Sequence, residues 1–277
     1  MYAAIRLHIK AIFPSACTIE YTLYTNRMDA NGYWKRLSAM VAPPEGAWLY
    51  QDAHYLVADV EIDPAAARRW TPWPLRPISP AIATVFTAFF PTNTFGSVYR
   101  EAGVLLHVEH RGTRAIHCPW MIVDDDVALI VGRELLGYPK KLGEIAWNHE
   151  ADRVLGAASR RGVELIRMEG TLGEVVRDAP PILGRPHRNV RASMGIAVPW
   201  LLSFTPREEP IEVRRARLDV RVIGSERDPL HELACGDVRA AFLHRVNLGR
   251  SAVSSLPRPI GIASPRHYLR NLLTRVH

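Results

Sequence analysis

The sequence predicts an α+β fold centred on an antiparallel, barrel-like β-sheet. Three observations support this prediction: many short runs typical of strands, few helical segments, and frequent turn residues between them. The 277 residues are 48% hydrophobic, which is enough to bury a sizeable core. The sequence contains no internal repeat and no low-complexity tract, so an array of small repeated units is excluded.

The predicted strands are runs of β-branched and aromatic residues bounded by turn residues. They cover residues 54–60, 82–90, 104–110, 115–123, 153–159, 163–172, 217–223 and 240–248. We expect the pairs at 111–112 and 161–162, both Arg-Gly, to form the turns of two hairpins. A further strand is predicted to begin at Lys140, whereas residues 180–191 are predicted to be a loop.

Helices are predicted where capping residues precede apolar positions at helical spacing. Asp63 is the expected N-cap of a short helix over residues 65–70. The three aspartates at 124–126 precede a second helix, and Gly137 is the expected residue at its C-terminal cap. A third, amphipathic helix is predicted at the C-terminus from the spacing of Leu269, Leu272, Leu273 and Val276.

Composition and charge narrow the class of protein. The formal charge of +7 would suit a nucleic-acid binder, but the arginines are scattered and are not interleaved with aromatic residues. No apolar stretch reaches about 18 residues, and the N-terminus lacks the core of a signal peptide. The three cysteines are widely spaced and odd in number, which argues against disulfides or a zinc site. We therefore expect a cytoplasmic protein that binds neither nucleic acid nor membrane.

Lysine is rare in this chain. Only four of the 35 Lys and Arg residues are lysines, and two of these, Lys140 and Lys141, are adjacent. Arginine keeps its proton in proteins, whereas a buried lysine is pushed towards its neutral, nucleophilic form. On a strand, neighbouring side chains point to opposite faces, so only one lysine of the pair can face the interior. The pair therefore suggests one buried, nucleophilic lysine, and the alternative interpretation is that both are ordinary surface lysines.

The residues around this pair resemble a known family. Residues 131–135 (Val-Gly-Arg-Glu-Leu) and 137–143 (Gly-Tyr-Pro-Lys-Lys-Leu-Gly) are similar to the signature of the acetoacetate decarboxylase superfamily. Residues 99–103 resemble the family segment that carries an active-site glutamate, and residues 228–233 also resemble the family. The family is an established example of a nucleophilic lysine. The resemblance implies a closed antiparallel β-cone or barrel with a few peripheral helices, and a homo-oligomer.

The resemblance also implies roles for individual residues. Lys140 matches the lysine that forms the Schiff base, and Glu101 matches the glutamate, a candidate general acid/base or else a solvated carboxylate at the end of a strand. Lys141 is interpreted as part of a structural ion pair, with activation of its neighbour as the alternative. Arg133 and Glu134 are expected to fix Lys141 or the end of the helix.

Three further residues are candidates for the substrate pocket. Tyr138 and Phe86 are expected to line it, although a tyrosine of the core is the alternative for Tyr138. The family carries an arginine just before the strand that matches residues 54–60, and this chain does not. His54 is a candidate to replace that arginine, or else an ordinary histidine at the start of a strand. The family's second pocket glutamate is also missing from residues 82–90.

The resemblance and these departures together predict a Schiff-base lyase acting on a small keto acid. The reaction is either a decarboxylation or an aldol condensation with dehydration, and we expect that the chain is not a true acetoacetate decarboxylase. The alternative is an inactive relative that binds a small ligand. No metal and no cofactor are predicted. Residues 1–50 are predicted to be an N-terminal extension packed on the same domain, and residues 51–277 to form the acetoacetate decarboxylase-like domain.

Overall fold

The computed structural model describes residues 48–94, 96–193, 196–249, 256–267 and 269. The chain divides into two compact units, Met1–Ala42 and Pro43–His277, and only the second contains described residues. The predicted extension over residues 1–50 therefore lies outside the described residues, except that 48–50 begin the first strand. The predicted C-terminal helix also lies outside them, apart from Leu269.

Strands dominate the described part of the chain. The strands are β1 Trp48–Glu61, β2 Arg76–Pro77, β3 Ile82–Phe90, β4 Thr92–Asn93, β5 Tyr99–His110, β6 Thr113–Val123, β7 Lys140–Leu142, β8 Glu144–Glu150, β9 Arg153–Arg160, β10 Val163–Val175, β11 His187–Ser193, β12 Ile196–Phe204, β13 Arg207–Val222, β14 Val238–Gly249 and β15 Arg258–Ile262. The helices are α1 Pro64–Trp70, α2 Asp126–Glu134 and a 3₁₀ turn, Leu230–Leu233. Among the described residues no helix combines the length and apolar character needed to span a bilayer.

All of these strands belong to one sheet. Its main path runs β15-β12-β11-β6-β5-β3-β1-β14-β13-β10-β9-β8, and most neighbours are antiparallel. The sheet curls back on itself, so that β9 packs over β3. At the closest approach a Cβ on Gly156 would lie 1.9 Å from the Thr87 hydroxyl oxygen, so only glycine fits there. The predicted α+β fold with an antiparallel cone is confirmed; within the described residues the cone curls without a hydrogen-bonded ladder joining β8 to β15.

Side-chain alternation gives this sheet two apolar faces. On β1, Leu56 and Ala58 pack into the larger core, whereas Tyr55 and Val57 pack into a smaller core on the other face. The smaller core surrounds the cavity described below. The parity of a residue along β1 therefore decides whether its side chain can reach that cavity.

Several local predictions are confirmed. Arg111 and Gly112 have φ of 51° and 77°, and Arg161 and Gly162 have φ of 55° and 76°, as expected for tight hairpin turns. Asp63 accepts a hydrogen bond of 2.7 Å from the backbone N–H three residues later and so caps α1.

The second helix has the predicted type of N-cap, but its C-cap is Leu135 and not Gly137. The Asp125 carboxylate accepts a 2.7 Å hydrogen bond from the Ala128 N–H at the start of α2. Gly137, just beyond the helix, adopts φ of 68°, a left-handed conformation that suits glycine. Within the helix, Gly132 lies against the Lys140 side chain of β7, whereas Gly137 lies against Arg191 and Leu202.

The prediction of a loop over residues 180–191 is wrong in its second half, because β11 begins at His187. The three prolines at 180, 181 and 186 do mark an irregular segment, but it ends earlier than expected. His187 and Asn189 are polar residues that are fully buried in this strand. The Asn189 side-chain oxygen accepts a 3.2 Å hydrogen bond from the Cys118 N–H. Such tertiary partners stabilise a strand whose residues alone do not predict one.

Candidate active site

A lysine and a glutamate meet inside the cone. Lys140 begins β7, which runs parallel to β6 and pairs with Met121, while Glu101 lies on β5. Their side chains are 6% and 7% exposed, and Lys140 Nζ lies 2.8 Å from Glu101 Oε2. This short contact allows a proton to pass between the amine and the carboxylate. The two residues are 39 positions apart in the chain, so the sheet alone brings them together.

The neighbouring lysine points to the other face, as alternation requires. The Lys141 Nζ donates to Asp228, which also accepts hydrogen bonds from Trp120 Nε1 at 2.8 Å and Arg160 at 2.9 Å. Burial by itself would raise the pKa of Asp228, but the hydrogen bond and charge of Lys141, with Trp120 and Arg160, hold it below its ordinary value. Lys141 thus lies in a buried ion-pair cluster, which agrees with its interpretation as a structural residue.

A cavity of about 110 Å³ opens beside Lys140. Its walls are mainly aromatic, with contributions from Tyr50, Tyr55, Phe86, Phe90, Tyr99 and Tyr138. Within the described part of the chain, Lys140 and Glu101 are the charged groups that line it, and no arginine does. The Lys140 amine lies 5.6 Å from the centre of the Tyr99 ring and 5.9 Å from that of Tyr138. A lysine and a carboxylate in an apolar enclosure suit covalent chemistry on a small carbonyl compound.

Tyr138 is held by a hydrogen bond whose direction can be assigned. Its hydroxyl lies 3.1 Å from His187 Nδ1, and His187 Nε2 lies 3.1 Å from the Leu183 carbonyl oxygen. A carbonyl only accepts, so Nε2 carries the proton. Burial lowers the pKa of His187 to about 3, so the ring is neutral and Nδ1 accepts from Tyr138. The Tyr138 hydroxyl proton is therefore directed at His187.

Gly132 makes room for the lysine side chain. A Cβ at this position of α2 would lie 2.6 Å from Lys140 Cε and 2.7 Å from Cδ, which is closer than real carbon atoms approach. The absence of a side chain at Gly132 therefore leaves the space that the Lys140 side chain occupies.

We expect Gly132→Ala to displace the Lys140 amine from Glu101 and slow imine formation by about 100-fold, the usual effect of misplacing a reacting group by an ångström. The measurement is the rate of borohydride trapping with pyruvate. Alanine favours a helix over glycine by about 1 kcal/mol, so thermal stability is not expected to fall. Gly261→Ala is the control, because a Cβ there would meet no atom within 4 Å. Equal trapping rates in the two variants would contradict this role.

Two of the three predicted pocket residues reach the cavity, and the third does not. Phe86 and Tyr138 line the cavity, as expected. His54 does not reach it, because His54 lies on the opposite face of β1 from Tyr55. Its ring lies 5.9 Å from that of Phe89, and its Nε2 lies 3.3 Å from Asp52. His54 therefore cannot replace the family's arginine within this cavity.

Arg133 and Glu134 lie at the end of α2 and outside the cavity lining. Glu134 is exposed and Arg133 is half-buried. The structure pairs Lys141 with Asp228, and the roles expected of Arg133 and Glu134 stay predictions. Arg76, on β2, is another arginine that could stand in for the one the family carries, but it is exposed and does not line the cavity.

Asp228, Tyr55 and His187 are among the residues of the site that were not predicted. Asp228 was missed because it lies 87 residues from Lys141, although residues 228–233 already resembled the family. The position of Tyr55 in the cavity could have been predicted once the cavity-facing side of β1 was known, because Tyr55 and Val57 are two residues apart and share that face. His187 was missed together with its strand, and no sequence signal that we recognise would have found it.

The chain is similar to known proteins in sequence and in fold. The sequence model of the acetoacetate decarboxylase (ADC) family matches residues 34–252. Acetoacetate decarboxylase of Chromobacterium violaceum is 31% identical over 130 residues, covering 47% of this chain and 52% of that protein. Acetoacetate decarboxylase 1 of Mesorhizobium japonicum is 30% identical over 132 residues, covering 48% and 52%. The chain thus spans about half the length of these curated relatives.

Solved structures show the same fold. The acetoacetate decarboxylase of Legionella pneumophila superposes with a TM-score of 0.68 at 14% identity, covering 79% of this chain and 89% of that chain. The enduracididine biosynthesis enzyme MppR, solved with pyruvate, superposes with a TM-score of 0.62 at 22% identity, covering 79% and 95%. The family match covers most of the sequence and the fold is shared. The chain therefore belongs to the acetoacetate decarboxylase family.

Proposed function

We propose that this chain is a lyase that forms a Schiff base between Lys140 and a small keto acid. The observation that carries the proposal is the buried 2.8 Å contact between Lys140 Nζ and Glu101, in an aromatic cavity. A nucleophilic lysine and a carboxylate within hydrogen-bond reach are the two groups that imine chemistry needs.

In the proposed mechanism the neutral amine of Lys140 attacks the ketone and forms a carbinolamine. Glu101 donates a proton to the departing hydroxyl, which leaves as water, and the resulting iminium withdraws electrons from the adjacent carbon. That carbon then loses CO₂ or a proton, and its bonding electrons form an enamine. If a proton is lost, the Glu101 carboxylate accepts it. The enamine carbon is next protonated, or it attacks an aldehyde to form a new C–C bond.

We propose aldol condensation and dehydration as the main reaction, with weak or no decarboxylation of acetoacetate. The lining described here contains no arginine to hold the carboxylate that leaves as CO₂, and Phe86 and Phe90 form an apolar wall. The MppR enzyme, which shares the fold, has also been solved with the condensation product of pyruvate and imidazole 4-carboxaldehyde. That ligand belongs to MppR, and its relevance to this chain is part of the proposal.

The test compares CO₂ release from acetoacetate with product formation from pyruvate and an aldehyde, each corrected for the Lys140→Arg background. We expect faster product formation in the second reaction. Decarboxylation of acetoacetate with kcat/KM above about 10⁴ M⁻¹s⁻¹, as for an ordinary enzyme, would contradict the proposal. Binding of keto acids without turnover or imine would instead favour an inactive, ligand-binding relative.

A further inference from the structure

A keto acid brings a carboxylate into a cavity with little to neutralise it. The charged groups of the described lining, Lys140 and Glu101, are already paired with each other. When Lys140 becomes an iminium, its nitrogen keeps one N–H, and Glu101 lies within hydrogen-bond reach of that nitrogen. A buried carboxylate without a hydrogen-bond donor is strongly unfavourable. The substrate carboxylate therefore needs a donor from the cavity wall.

The tyrosines are the remaining side-chain donors, and three of them already have a hydrogen-bond partner in the protein. The Tyr50 and Tyr99 hydroxyls form one hydrogen bond with each other, in which one donates and the other accepts. Tyr138 directs its proton at His187, as derived above.

Tyr55 is different. Its hydroxyl makes no hydrogen bond to any of the residues that the structure describes, although the residue is only 1% exposed and lines the cavity. A hydroxyl that lines a cavity and has no partner in the surrounding protein can donate its proton to a ligand there.

The ring of Tyr55 is held rigidly. It lies edge-on to Phe90 with 5.5 Å between ring centres, and 5.9 Å from the centre of Phe86. Its strand, β1, lies between β3 and β14, where Tyr55 pairs with Ala88 and His244. A donor on a central strand is pre-organised, so little freedom is lost on binding.

We infer that Tyr55 recognises the substrate by donating a hydrogen bond to the carboxylate of the keto acid. This inference rests on the proposed function and names the residue that selects an acid over a neutral ketone. Burial, and then the charge of Glu101, raise the pKa of Tyr55 well above its ordinary value, so the phenol keeps the proton it donates.

The test is Tyr55→Phe, which removes the hydroxyl and keeps the ring. Borohydride trapping is measured over a range of pyruvate and of acetone, which carries no carboxylate. We expect the preference for pyruvate over acetone to fall roughly 10- to 100-fold, the usual effect of losing a hydrogen bond to a charged group. Glu109→Gln is the control: Glu109 is exposed and does not line the cavity, so the preference should change by less than about threefold. An unchanged preference in Tyr55→Phe, or equal changes in both variants, would overturn the inference.

A second measurement separates this inference from the proposed function. Propionate has a carboxylate but no ketone, so its binding, followed by NMR, does not depend on an imine. We expect Tyr55→Phe to weaken propionate binding roughly 10-fold or more. If the natural protein traps no keto acid, the proposed function fails, and propionate still tests Tyr55. Equal binding by the natural protein and the variant, or no binding by either, would refute the role of Tyr55.

Discussion

Lys140→Arg is expected to abolish imine formation completely. Arginine keeps a positive charge that can face Glu101, but it does not lose its proton at any ordinary pH and so cannot attack a ketone. The protein is incubated with pyruvate, reduced with borohydride and mapped by peptide mass spectrometry. In the natural sequence we expect one adduct, on Lys140, and in the variant none.

The scarcity of lysine makes this experiment unusually clean. The sequence has only four lysines, so few amines compete for the keto acid. Lys35→Arg serves as the matched control, because it removes another lysine by the same substitution and should leave the adduct in place. An adduct on Lys35 in the natural protein, or no adduct with any keto acid tried, would rule out the mechanism.

Glu101→Gln is expected to slow turnover by roughly 10²–10⁴-fold while still allowing the imine to form, more slowly because dehydration of the carbinolamine loses its proton donor. The amide has the size of the carboxylate and can still bond to the lysine, but it cannot accept or return a proton. Trapping and steady-state turnover are measured on the same preparation, so that the two effects separate.

Glu109→Gln is the control for this loss, because Glu109 lies on the same strand but is exposed. It should have near-normal turnover. If Glu101→Gln retains turnover within about threefold of the natural protein, Glu101 is not the general acid/base, since such a group contributes far more.

Much of the fold follows from short-range patterns. β3 has the bounds predicted from its apolar run, and Arg-Gly pairs mark two hairpin turns because glycine accepts positive φ. Asp63 and Asp125 cap the two α-helices because their carboxylates reach free N–H groups within three residues. Each of these features depends on residues only a few positions apart in the chain, so the sequence pattern can predict it.

The parts that were not predicted depend on long-range partners. His187 and Asn189 become strand residues because they find buried hydrogen bonds far along the chain. His54 was placed in the pocket although its strand turns it to the other face, and parity is known only once one face is identified. The 2.8 Å contact between Lys140 and Glu101 depends on how β5, β6 and β7 align, which their residues do not encode singly.

We expect the ion pairs around Asp228 to hold β7 in the register that points Lys140, and not Lys141, into the cavity. If β7 slipped by one residue along β6, either Pro139 or Lys141 would take the place of Lys140. A slip that turned Lys141 inward would leave Leu142 opposite Asp228, and that buried carboxylate would lose one of its cations. In the proposed mechanism, the lysine that takes no part in the reaction thus determines which amine is offered to the substrate. The residues that the proposed activity requires therefore extend beyond the cavity to a buried ion-pair cluster on the opposite face of the sheet.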